Sequence, residues 1–244
     1  MIPAKSILPF VLPALAAMIA PAAVGQSRSP VTIVDSLGRE IVVPGRVERI
    51  ISLEPEVTRI IVALGEGKRL VGIDFFLRHH DRLFPFVFPP SERLPVVSNQ
   101  GQDLNYEEAI PLRPDIIFSS PSEFRMTEAI EKKMRLPVAA LASMGKFRDL
   151  VTEIETLGRI LGREDRAAEL TTYFKARLEA VRRAAGATGA DTGPMVYLSF
   201  WGSLLRTPVF YEPVEAAGGN NIASRLLPSY LGTAGATVSI EQVL

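Results

Sequence analysis

The sequence predicts an α/β protein of two lobes with mostly parallel sheets, joined by one long α-helix, with the second lobe stopping short at the C-terminus. Three observations point there. Short β-branched runs alternate with helix-period segments from residue 49 to residue 141, the pattern of a parallel sheet covered on both faces. Residues 164–184 are 21 consecutive positions without Pro or Gly, about 30 Å of helix at 1.5 Å per residue. After the connection GATGADTGP, which ends at Pro194, a new strand begins at Met195.

The elements follow in order. Residues 31–34 and 40–43 are β-branched runs joined across Leu37-Gly38, a hairpin closed by a Gly-containing turn and ended by Pro44-Gly45. Residues 49–53 read as a buried strand. Pro55 opens a helix whose Val57, Ile60, Ile61 and Leu64 keep helical spacing until Gly65. Strands are expected at 70–73, 114–118 and 138–141, with helices at 105–110 and 127–134. Leu150, Ile154, Leu157 and Leu161 form one apolar stripe ending at Gly162. Ala167, Leu170, Phe174, Leu178 and Val181 form another on the long helix. Beyond it come a strand over 195–200 and a short helix over 214–217, stopped by Gly218-Gly219. The domains expected are a leader at 1–25, an N-terminal lobe at 28–148, a helical block at 149–185 and an incomplete C-terminal lobe at 194–244.

Composition removes several classes of function. Lys and Arg number 27 against 27 Asp and Glu, so there is no basic footprint for nucleic acid. The absence of cysteine excludes disulfides, thiolate metal sites and cysteine catalysis. No nucleophile elbow, phosphate loop or dinucleotide fingerprint is present, and the chain is expected not to be an enzyme. Residues 1–25 read as a cleaved export signal: Lys5 supplies the positive region, residues 7–20 the apolar stretch, and Ala20, Ala22, Ala23 and Gly25 the small residues. Fourteen apolar residues fall short of the roughly 20 that span a bilayer. The expected product is a monomer, not membrane-spanning after cleavage, in the periplasm.

Residues 104–110 (LNYEEAI) echo residues 238–244 (VSIEQVL) at an offset of 134. In the first instance the segment runs on into PLRPDIIF; in the second the chain stops. Duplicated units are of comparable size, so roughly 60–80 residues of the second lobe are expected to be missing.

Four segments then carry a resemblance. VTIVDSLGREIVVP (31–44) with VERIISLEP (47–55), LNYEEAIPLRPDIIF (104–118), LGRILGREDRAA (157–168) and AAGGNNIA (216–223) resemble, in register, the periplasmic solute-binding proteins of siderophore, haem and cobalamin ABC importers. The resemblance implies two α/β lobes joined by one stiff helix, a metal chelate held in the cleft between them, no cofactor, and an ABC permease as partner. It further implies one docking glutamate per lobe; Glu123 matches that region best, then Glu128. A binding protein for an oxyanion such as molybdate, or for free metal, is the alternative, and a metal-dependent hydrolase on His79, His80 and Asp81 a remote one.

Cleft ligands sit on the loops after parallel strands, which selects the candidate contacts. Ser52 and Glu54 follow the first strand, where they also suit a helix cap. The loop FFLRHHDR after the next strand supplies Phe75 and Phe76 to stack on a planar ligand and Arg78 to pair with its carboxylates. His79 or His80 is a possible metal ligand. Asn99 and Gln100 stand in the polar loop before residue 104, and Ser119 follows the 114–118 strand. In the second lobe Trp201 is expected to face the cleft, with Arg206 and Tyr211 nearby.

Overall fold

The structure is a computed structural model, and it describes residues 29–99, 103–142, 145–186, 193–199, 203–226 and 235–243. The chain opens with the hairpin β1 (Val31–Val34) and β2 (Glu40–Val43), paired antiparallel with Val31 opposite Val43. Then β3 (Ile50–Ser52), α1 (Pro55–Ala63) and β4 (Leu70–Ile73) begin the strand–helix alternation. Two short helices follow, α2 (Phe75–His79) and α3 (Phe84–Val87), and α4 (Tyr106–Ala109) leads into β5 (Ile116–Ser119). Helix α5 (Phe124–Met134) returns the chain to β6 (Val138–Ala140). The four strands form one parallel sheet in the order β4-β3-β5-β6.

Both faces of that sheet are covered, which is why its strands are apolar throughout. Successive residues point to opposite faces. Ile50 and Ile116 therefore join one core, with α1, the hairpin and α6 (Phe147–Leu161); Ile51 and Ile117 join the other, with α4 and α5. The hairpin is pinned to the β6 edge: Asp35 Oδ2 accepts from Ala140 N at 3.2 Å, and Arg39 Nη2 donates to the Val138 carbonyl at 2.9 Å.

The long helix is α7 (Glu164–Ala185). Its apolar stripe is buried at Ala167, half-buried at Leu170, Phe174 and Leu178, and 47% exposed at Val181, so the helix packs at its start and emerges as it runs. It meets α6 at close range. A Cβ on Gly158 would stand 2.6 Å from the Ala167 Cβ, so only glycine fits there. Glu66, fully buried in the loop after α1, pairs with Arg69 at 2.7 Å and with Arg163 at the threshold of α7.

Beyond α7 lies a second α/β segment. It comprises β7 (Met195–Val196), β8 (Arg206–Pro208), α8 (Glu212–Ala216), β9 (Asn220–Asn221), β10 (Gly235–Thr237) and α9 (Ile240–Val243). β7 pairs with β9 in parallel and β8 with β10 antiparallel. The expected strand over 195–200 is two residues long, because β9 offers only two partner positions. Among the described residues, no helix is long and apolar enough to cross a membrane.

Candidate functional site

Because β4, β3, β5 and β6 are parallel, their C-terminal ends share one edge, and each passes there into a loop or helix cap. After β3, Ser52 is fully buried and donates its hydroxyl to the Glu54 carbonyl at 3.2 Å; Thr58 donates to the same oxygen at 3.1 Å. Glu54 is the extended residue before α1, with Pro55 at the first helical position. Burial pushes its carboxyl up to about 7, the neighbouring charges of Glu56 and Asp74 add to this, and the Glu56 backbone and the Ser120 hydroxyl pull part of it back.

After β4, Asp74 caps α2, its Oδ1 accepting from Leu77 N at 2.9 Å. It is 1% exposed, and Oδ2 has no hydrogen-bond partner among the described residues. Burial raises this carboxyl to about 6, against the pull of the Leu77 and Phe76 amides and of Arg59. After β5, the Ser119 hydroxyl is buried against Thr127 at 2.8 Å, while Ser120 shares a hydrogen bond with Ser122 at 2.9 Å.

A third acid underlies this edge. Glu153 on α6 is 4% exposed, and neither carboxylate oxygen has a hydrogen-bond partner among the described residues. Burial drives it up to about 9, and the charges of Glu56, Glu54 and Asp149 act in the same direction. The arrangement is three buried or half-buried carboxyls, Glu54, Asp74 and Glu153, with the Arg59 guanidinium acting on Asp74.

The stretch expected as a loop after β4 is helical instead, because the Asp74 cap starts α2. Phe75 stacks on His79 with ring centroids 4.3 Å apart, and Phe76 on His80 at 5.4 Å, both histidines exposed. Arg78 directs its guanidinium to the carbonyls of Ser91 (2.7 Å) and Leu94 (3.2 Å), a staple across the following turns. Burial opposes the Asp81 charge, but Arg59, 2.6 Å away, holds its carboxyl below the usual range. Among the described residues, no group of three or more His, Cys, Asp or Glu could hold a metal ion.

The remaining candidates are dispersed. Asn99 is exposed, its Oδ1 accepting from Asp103 N at 3.0 Å. Arg206 lies exposed on β8, and Tyr211 precedes α8 with its ring against Gly145. Next to it the Phe147 amide donates to Glu212 Oε2 at 2.6 Å, tying the start of α6 to the C-terminal segment. Gln100 and Trp201 lie outside the described residues. Glu128 is exposed on α5; the backbone of Glu123 belongs to the short turn before that helix.

Asp74 and Glu153 were not among the residues singled out from the sequence. The signal for Glu153 was present: it lies three residues after Leu150 and four before Leu157, on the apolar stripe itself.

A parallel sheet with polar caps along one edge, followed by a long helix and a second α/β segment, defines a solute-binding protein of the helical-connector class. The periplasmic binding protein family model matches residues 50–244, and the chain belongs to that family. It is 25% identical over 172 residues to the uncharacterised ABC transporter substrate-binding lipoprotein YvrC of Bacillus subtilis, covering 69% of this chain and 52% of the relative. It is also 25% identical over 197 residues to a cobalamin-binding protein of Halobacterium salinarum, covering 80% and 51%. The chain thus spans about half the length of these curated relatives. Among solved structures, the molybdate-bound MolA of Haemophilus influenzae superposes with a TM-score of 0.69 at 20% identity, over 88% of this chain and 71% of that one.

Proposed function

We propose that this protein is the periplasmic substrate-binding component of an ABC importer, which captures a metal chelate (a ferric siderophore, haem or cobalamin) between its lobes and delivers it to the permease. The observation that carries the reading is the shared strand edge, where Glu54, the Asp74–Phe75–Phe76 turn and Ser120 stand together at the position where parallel sheets bind ligands. The Phe75–His79 and Phe76–His80 stacks, half-buried at the phenylalanines and exposed at the histidines, offer flat surface for a planar ligand. Family membership supports the same reading. Residues 1–25 direct export, the protein acts as a monomer without catalysis, and Glu123 and Glu128 face the permease.

The test is a fluorescence titration of the purified protein, following Trp201, with cyanocobalamin, haemin, a ferric siderophore and molybdate. Saturable quenching at micromolar or lower concentration by one of the chelates supports the proposal. Quenching by molybdate alone replaces it with oxyanion binding, and no response to any of the four overturns it.

A further inference from the structure

We propose that the Glu54 edge reads ligand charge: it accepts the uncharged, hydrogen-bond-donating rim of an amide-bearing chelate and rejects chelates or ions whose rim is anionic. This deepens the chelate-binding reading and rests on it.

The geometry concentrates acid where the ligand would lie. Glu54, Asp74 and Ser120 follow β3, β4 and β5, which are adjacent in the order β4-β3-β5. With strands about 4.8 Å apart, the three positions fall within about 10 Å of edge. Their hydrogen-bonding capacity is mainly that of acceptors, and part of it is unused. Asp74 Oδ2, buried beside Glu54, accepts no hydrogen bond from any described residue, and beneath them neither oxygen of Glu153 accepts one. Both are buried out of a ligand's reach and act only through the field; the half-buried Glu54 is the acid a ligand can meet, and its carboxylate accepts from a ligand N–H and repels a ligand carboxylate.

Among the described residues, compensating positive charge beside Glu54 is scarce. The groups facing Glu54 are the carboxylates of Glu56 on its own helix and Asp74 after β4, the protonated carboxyl of Glu153 on α6, and the Ser120 hydroxyl. Arg59 acts on Asp74, but its guanidinium is already committed to Asp81 at 2.6 Å. An anionic group about 5 Å from an ionised Glu54, at an effective dielectric near 20, is disfavoured on the order of a hundredfold. Because burial pushes Glu54 up to about 7, this rejection is strongest above neutrality and fades as the carboxyl takes up its proton.

The experiment compares cyanocobalamin, whose corrin rim carries neutral amides, with haemin, which carries two propionates, and with molybdate, using the full chain at pH 8 and pH 6. The expected result is that cyanocobalamin binds about tenfold tighter than either anion at pH 8, the limit set by an anion entering with protonation of Glu54, and that the ratio narrows at least fivefold at pH 6. Glu54→Gln narrows it at least fivefold at pH 8; should that variant not fold, the pH comparison in the unaltered protein decides. An anion that binds the unaltered protein as tightly as cyanocobalamin at pH 8 overturns charge reading while leaving chelate binding intact. So does a ratio that neither pH nor Glu54→Gln moves. Failure of all three probes together with a ferric siderophore overturns the chelate-binding reading itself, and this inference with it.

Discussion

Replacing Glu153 by glutamine tests the electrostatics of the site without touching its shape. The carboxyl is 4% exposed, has no described hydrogen-bond partner, and is raised from 4.5 to about 9 by burial and by its acidic neighbours. In the unfolded chain it ionises near 4.5; in the folded chain it keeps its proton to about 9. The folded state therefore binds more protons across this window, and stability falls as pH rises through it. The favourable contribution is complete below the unfolded value and has gone once pH passes the folded one. Between pH 5 and pH 8 the loss is three pH units at about 1.4 kcal/mol each, or about 4 kcal/mol. That is a large share of the ~5–15 kcal/mol that holds an ordinary domain together.

Glutamine has the same shape and no proton to lose. Urea denaturation of both proteins at pH 5, 6, 7 and 8, followed by far-UV circular dichroism, isolates the effect, because most contributions from other groups cancel in the difference. The Gln variant is expected to gain on the parent by about 1.4 kcal/mol per pH unit. A difference that stays flat across the series would refute the argument, since it would mean that Glu153 ionises in the folded protein as it does in the unfolded one.

Two further substitutions test the frame that holds the site. Gly158→Ala should destabilise the protein by about 1–2 kcal/mol, read as a lower Tm: helix propensity favours alanine by up to about 1 kcal/mol, but a methyl group 2.6 Å from the Ala167 Cβ forces α6 and α7 apart. A variant as stable as the parent would mean that the two helices tolerate separation. Glu66→Ala should cost about 2 kcal/mol in urea denaturation, below the 3–5 kcal/mol of a fully buried pair because the Arg163 side chain is 43% exposed; an unchanged urea midpoint would show that the ion pairs contribute nothing net.

The parallel sheet was legible because its strands are short apolar runs set off by Gly, Pro or charge, and its helices show a clear 3.6 period; β4 falls on the expected residues 70–73. Among elements too short to display a period, several were not legible. Helices α2 and α3 have five and four residues, and their starts depend on the Asp74 cap and on Pro85 rather than on any apolar rhythm. Strand β9 is Asn220–Asn221, a polar pair that becomes a strand only because β7 lies alongside it. At the site, Glu54 could be found because it follows a strand. Glu153 was missed because a charged residue in a helix is ordinarily read as surface, although its spacing put it among leucines.

The order of the three raised carboxyls, Asp74 at about 6, Glu54 at about 7 and Glu153 at about 9, follows from where each stands on its helix. Asp74 is a true cap, its charge met by the Leu77 amide. Glu54 occupies the residue before α1, where the helix dipole favours negative charge but two other acids stand close by. Glu153 lies beyond the first turn of α6, where its own helix amides are already used and the dipole has faded, so burial acts on it unopposed. The acids at helix starts therefore titrate at or just below neutrality, whereas the one buried mid-helix stays neutral at physiological pH. A charge on Glu153 would have to be accommodated by α1 and α6 together, and α6 is the helix whose first amide is tied to Glu212 of the C-terminal segment.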